Sequence, residues 1–200
     1  ELNITWQLPS GTLPEALDEE VLSYLYRSGC RNLSYAPESG SLRVLKKIKK
    51  KMEPSRMIAS MRTAVACGLN AKANGIFGFP GETHSDIWRS LYFIARMAIN
   101  GVNDVSVWTY SPYPGIEIYA ELKQRGKIKE FDDDYFASLL SYADLKNVVS
   151  WDDNLSAQVL RIYRIFGLVL FYTTSYASNP LRFFRTIRNL MTNRHELRTE

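Results

Sequence analysis

The chain has 200 residues, 46% of them hydrophobic and 23% charged, with a formal net charge of +4. That is the make-up of a core-bearing globular domain and excludes a disordered or low-complexity segment. Cys30 and Cys67 lie far apart with no second thiol or histidine beside them, which argues against a disulfide framework or a zinc site and for a reduced, cytoplasmic setting.

In chain order, short apolar runs rich in β-formers end in Pro/Gly/Ser clusters, and each is followed by a segment with helical spacing. "NITWQLPSGT" leads into the helix "LDEEVLSYLYRSG". "RNLSYAPESGS" leads into a helix with Leu42, Leu45, Ile48 and Met52 on one face and the lysines of "KKIKKK" on the other, a pattern that reads as a solvated helix face. A further helix starts at Pro54, turns Met57, Ile58, Met61, Ala64 and Val65 inward, and stops at Gly68. A strand over 70–79 follows, then a helix whose start is fixed by the capping pair Thr83 and Asp86, with Ile87, Leu91, Ile94, Ala95 and Ala98 inward. "DVSVWTYSPYPG" precedes "IEIYAELKQRGKI", with Gly126 as the stop, and "DDDY" at 132–135 reads as an acidic helix start.

Repeated βα units with short connections predict an α/β fold with parallel strands, a partial (β/α) TIM-like barrel whose sheet is buried on both faces. No G-x-G-x-x-G follows the first strand, so a dinucleotide-binding sheet has little support. The βα rhythm ends near residue 142. Residues 143–154 read as a linker, and 155–200 as a helical, apolar, arginine-rich tail. The tail region from 159 onward holds seven arginines against two glutamates, a net of +5. The uncharged run "IFGLVLFYTTSYA", Ile165 to Ala177, is too short to span a bilayer of about 20 residues. Two readings of it stand: a helix capping the open barrel, or one lying in a membrane interface.

In parallel α/β architectures ligands bind at the C-terminal strand ends. Here these are Pro9–Thr12, Glu38–Gly40, Gly78–Glu82 and Tyr110–Gly115. Glu38 and Glu82 are polar hooks among apolar walls, as a small-molecule pocket requires, though each also precedes a helix whose dipole would stabilise it without a ligand. Gly75, inside a strand, marks close approach of another backbone or a ligand, whereas Gly78 and Gly81 suit a tight turn. His84 and His195 have no partners at metal-ligand spacing, so no metal site is expected.

Taken in order, "SGC…APESGSLRVLKKIKK", "GIFGFPGET" and "SPYPGIEIYAELKQRGKI" resemble the latter part of the barrel of radical S-adenosylmethionine enzymes, in particular the subgroup with a cobalamin-binding domain upstream. The resemblance implies an enzyme in which a [4Fe-4S] cluster holds S-adenosylmethionine and cleaves it reductively to a 5′-deoxyadenosyl radical, with cobalamin-assisted methyl transfer as one outcome. It also implies that Glu38 meets ribose hydroxyls and that Ile76 and Gly78 flank the adenine. The Tyr110 to Tyr113 backbone would read the base edge, with Glu82 ordering the loop over the nucleoside. The family's Cys-x-x-x-Cys-x-x-Cys loop is not in this sequence. The cluster ligands are thus expected outside this chain, in a missing N-terminal half, and the chain alone should be inert. Relatives often carry arginine where Leu13 stands. The further partners implied are a reductant protein and a small-molecule or lipid-like substrate, with a membrane surface met by the tail and no nucleic acid. No residue is nominated as catalytic. The rival readings are a methylthio-transferring relative acting on transfer RNA, and a non-catalytic membrane-docking or scaffold module.

Overall fold

The computed structural model describes residues 4–12, 16–129, 131–140 and 144–192. Four strands, β1 (Trp6–Thr12), β2 (Cys30–Glu38), β3 (Asn70–Phe77) and β4 (Asp104–Thr109), form one sheet in the order β1-β2-β3-β4, with every neighbouring pair parallel. Sequential order with parallel pairing is the arc of a (β/α) barrel; a doubly wound sheet reverses order at its centre. The connecting helices are α1 (Glu19–Arg27), α2 (Leu42–Lys47), α3 (Pro54–Ala66) and α4 (His84–Ile99). After β4 come α5 (Glu117–Gln124), α6 (Asp133–Leu140), α7 (Ala157–Ser178) and α8 (Pro180–Met191).

Local chemistry sets the helix starts. Asp18 accepts from the Val21 amide to begin α1, Pro54 occupies the first turn of α3, and Thr83 with Asp86 closes a full capping box on α4. The α2 stop differs from the sequence expectation. Rather than running to Met52, α2 ends at Lys47 in a Schellman arrangement, with Lys49 at φ 56, its amide on Lys46 O, and the Lys50 amide on Leu45 O at 2.9 Å. Leu42 consequently faces solvent, while Leu45 and Met52 are buried as expected.

The sheet is not apolar on both faces. β3 alternates: Ala71, Ala73 and Phe77 join the main core, while Asn70, Lys72, Asn74 and Ile76 line a cavity on the concave side. On β4, Val105 and Val107 enter the core, and Asp104, Ser106 and Trp108 face the cavity. A barrel strand shows one face to its helices and the other to the lumen, so period-two patterning replaces the continuous apolar run.

The tail's first helix belongs to the helical layer. α7 packs on α4 and β4, burying Leu160, Gly167 and Phe171; a Cβ added at Gly167 would lie 3.6 Å from Val107 Cγ2. Arg164, 2% exposed, donates from Nε to Val107 O at 3.0 Å and from Nη1 to Asp144 O at 2.9 Å. The 144–156 segment is docked as well: Trp151 is buried in a second aromatic core with Phe79, Tyr110, Tyr119 and Tyr135. Among the described residues no helix is long and apolar enough to cross a membrane.

Candidate functional site

The C-terminal strand ends meet at a cavity of about 990 Å³ whose lining includes Glu38, Ile76, Phe79, Tyr110, Tyr113 and Ile116. Three observations fix how Glu38 is presented there. It is a non-glycine residue in the left-handed region, φ 62, at the last position of β2. Such a residue costs about 1 kcal/mol or more and persists only where the surroundings hold it. The following turn is the holder. Gly40 lies against α4 so closely that a Cβ would stand 2.7 Å from both Arg89 O and Phe93 Cβ, and its amide donates to Ser90 Oγ at 3.0 Å. Ser39 Oγ contacts Ser90 Oγ at 3.0 Å, and Ser41 Oγ donates to Asp86 Oδ1 at 2.6 Å. Finally, Lys50 Nζ donates to Glu38 Oε1 at 3.2 Å, leaving Oε2 without a partner among the described residues.

Gly75 pairs in register with Glu38, and a Cβ there would rest 3.7 Å from Glu38 O, an ordinary contact. Ile76 projects into the cavity beside it. Gly78 does not reach the lining; it turns the chain at φ +86, and a Cβ would strike Leu160 Cδ1 at 2.7 Å. Tyr110 and Tyr113 both line the cavity. The Tyr110 amide donates to Phe77 O at 2.8 Å, its ring lies 5.0 Å from that of Phe79, and burial pushes its hydroxyl pKa upward. Ser111 Oγ and Tyr110 Oη are buried with no partner among the described residues, so this rim carries unused hydrogen-bonding capacity. Leu13 and His195 lie outside the described residues.

Glu82 works beneath the rim. It is 1% exposed, and its Oε2 accepts the amides of Gly78 at 2.6 Å and Phe79 at 3.2 Å, clamping the turn between β3 and α4. Burial raises its pKa to about 8; the two amides pull it down, and the Asp86 and Asp152 carboxylates push it up. The same turn is gripped from outside by Lys47 Nζ on Pro80 O at 2.6 Å and Arg43 Nη2 on Gly81 O at 2.8 Å. From the 144–156 segment, Asp152 Oδ1 accepts the Gly81 amide at 2.6 Å and Asn154 Nδ2 donates to Glu82 O at 3.2 Å.

Sequence reasoning missed these holders. The lysine run reads as a solvated face, yet Lys47 and Lys50 return to the strand ends because α2 stops short. Asp152 and Asn154 lie in a stretch that reads as linker. "WDDN" held a weak signal, since two acids and an amide after a tryptophan are unusual in a plain spacer.

Cys30 is buried at the first residue of β2 and half-buried Cys67 caps the end of α3, so both stand at the opposite end of the strands from Glu38. They do not fit a cluster at this cavity. Among the described residues no group of three or more His, Cys, Asp or Glu side chains could hold a metal ion.

The family model described as the radical SAM superfamily matches residues 4–94. An uncharacterised methyltransferase of Pyrococcus horikoshii is 30% identical over 119 residues, 59% of this chain and 25% of that protein. The cytidylyl-2-hydroxyethylphosphonate methyltransferase of Streptomyces wedmorensis is 32% identical over 133 residues, 63% of this chain and 24% of that protein. The chain thus spans about a quarter of the length of the curated relatives it matches. Among solved structures, the radical SAM coproporphyrinogen III oxidase of Escherichia coli superposes with a TM-score of 0.46 at 22% identity, covering 64% of this chain and 28% of that one. The matched residues 4–94 hold Glu38, Ile76 and the Glu82 turn, so the likeness to the radical SAM superfamily covers this part of the site.

Proposed function

We propose that this chain forms the nucleoside-binding wall of a radical S-adenosylmethionine enzyme that transfers a methyl group to a small-molecule or lipid-like substrate. The observation that carries the reading is Glu38: a carboxylate held in left-handed backbone at a strand end, one oxygen on Lys50 and the other free to accept, in a cavity shared with Ile76, Tyr110 and Tyr113. Paired ribose hydroxyls are the donors such an oxygen suits. Ile76 supplies an apolar ledge for a flat base, and the Tyr110–Tyr113 rim offers unpaired polar groups for its edge. When bound, the cluster and S-adenosylmethionine supply the radical chemistry; this chain's residues orient the adenosyl group and keep water from it. Methyl transfer is supported by the two relatives named as methyltransferases; cobalamin would be the methyl carrier. The cluster's thiolates would come from residues other than Cys30 and Cys67, and electrons from a reductant protein.

The test is S-adenosylmethionine affinity by equilibrium dialysis in the intact enzyme, wild type against Glu38→Gln. Losing charge-assisted bonds to hydroxyls should weaken binding about 10- to 100-fold. Equal affinities would overturn the assignment.

A further inference from the structure

α8 buries its polar side. Thr186 and Asn189 are its buried residues, and on the same stripe Arg182 Nη1 donates to Val102 O at 2.8 Å and Ser175 Oγ at 3.1 Å while Nη2 reaches Gly101 O. The carbonyls after α4 need donors, and satisfying them with Arg182 fixes the helix rotation. The apolar stripe is thereby turned outward: Phe183, Phe184, Ile187, Leu190 and Met191 are 45%, 65%, 40%, 53% and 82% exposed. A helix docked only for its own core shows the reverse pattern. Phe183 continues the surface onto α7 through Tyr176, ring centroids 5.5 Å apart.

Charge identifies what covers this face. Between Asp153 and Glu196 the sequence has no acidic residue; of its six arginines, Arg164 and Arg182 are taken up by backbone carbonyls, while Arg161 on α7 and Arg188 on α8 stand exposed. A purely apolar partner would not need this one-sided balance, whereas an anionic surface with an apolar interior uses both features. No helix among the described residues can cross a bilayer, so the contact lies in its plane. We propose that the outward face of α8 docks into the interface of an anionic lipid bilayer. This stands independently of the nucleoside site.

Gradient flotation of the intact protein tests it, with vesicles of phosphatidylcholine alone or mixed with phosphatidylglycerol. The wild type should float with the anionic vesicles and lose binding about tenfold in high salt or without the anionic lipid. Phe184→Glu/Ile187→Glu, and separately Leu190→Glu, alter only exposed positions and should stay at the bottom with unchanged circular dichroism. Failure of the wild type to float, or flotation of the variants equal to it, overturns the proposal. So does a lipid-free wild-type dimer that the variants convert to monomer, since a second copy would then cover the face.

Discussion

Glu82 makes the fold's pH dependence predictable. Its folded pKa, about 8, is far above its ordinary value of 4.5, because burial disfavours the charged form and the Asp86 and Asp152 carboxylates add to that. Below pH 4.5 both folded and unfolded chains hold the proton and nothing differs. Between 4.5 and 8 the unfolded chain has released it and the folded chain has not, so stability falls as pH rises; above 8 the loss is complete. Integrated over that window the loss is on the order of 5 kcal/mol, a large share of the total for a domain of this size. Glu82→Gln keeps a neutral acceptor for the Gly78 and Phe79 amides and removes the titration. Urea denaturation from pH 5 to pH 9 is the assay. The wild type should lose stability relative to the variant steadily with pH, and the variant should be the more stable protein at pH 9. Two denaturation series that stay parallel across this range would refute the reasoning, since they would show that Glu82 is already ionised in the fold.

Gly78→Ala should destabilise by about 2–3 kcal/mol, read as a lower urea midpoint, because it combines a strained φ of +86 with a Cβ 2.7 Å from Leu160 Cδ1. Asp86→Ala should cost about 3 kcal/mol by the same measurement, since it removes acceptors for Ser41, the Thr83 cap and Arg43 from a buried position. Burial alone would raise the Asp86 pKa, but the bonds from Arg43, Ser41 and Thr83 outweigh it and hold it well below the usual carboxylate range. Its contribution is therefore present above pH 4 and is lost on acidification, the opposite sign to Glu82.

Where a residue type forces a backbone state, the sequence was readable: Gly68 ends α3 at φ +88, Thr83 and Asp86 start α4, and the Pro-Gly turn follows β3. The four βα units and their parallel pairing followed from that punctuation. The α2 stop was invisible because Lys49, not glycine, takes the left-handed position, and lysines at 46–51 keep a helical rhythm past the true end. Glu38, Ile76, Tyr110 and Tyr113 share the cavity as their strand-end positions suggest; Gly78 does not, since the turn it permits carries it toward α7. The inverted face of α8 could not be read from its pattern, which shows amphipathicity but not which side packs. That choice was made by backbone carbonyls at 101 and 102.

The proposed contact between the Glu38 carboxylate and the sugar is tested most directly by a cycle of four affinities, S-adenosylmethionine and its 2′-deoxyribose analogue, each against wild type and Glu38→Gln. The account predicts that the deoxy analogue loses affinity with the wild type and little more with the variant, a coupling of about 1 kcal/mol or greater. If the two changes simply add, the carboxylate does not meet the ribose, and the nucleoside must lie elsewhere.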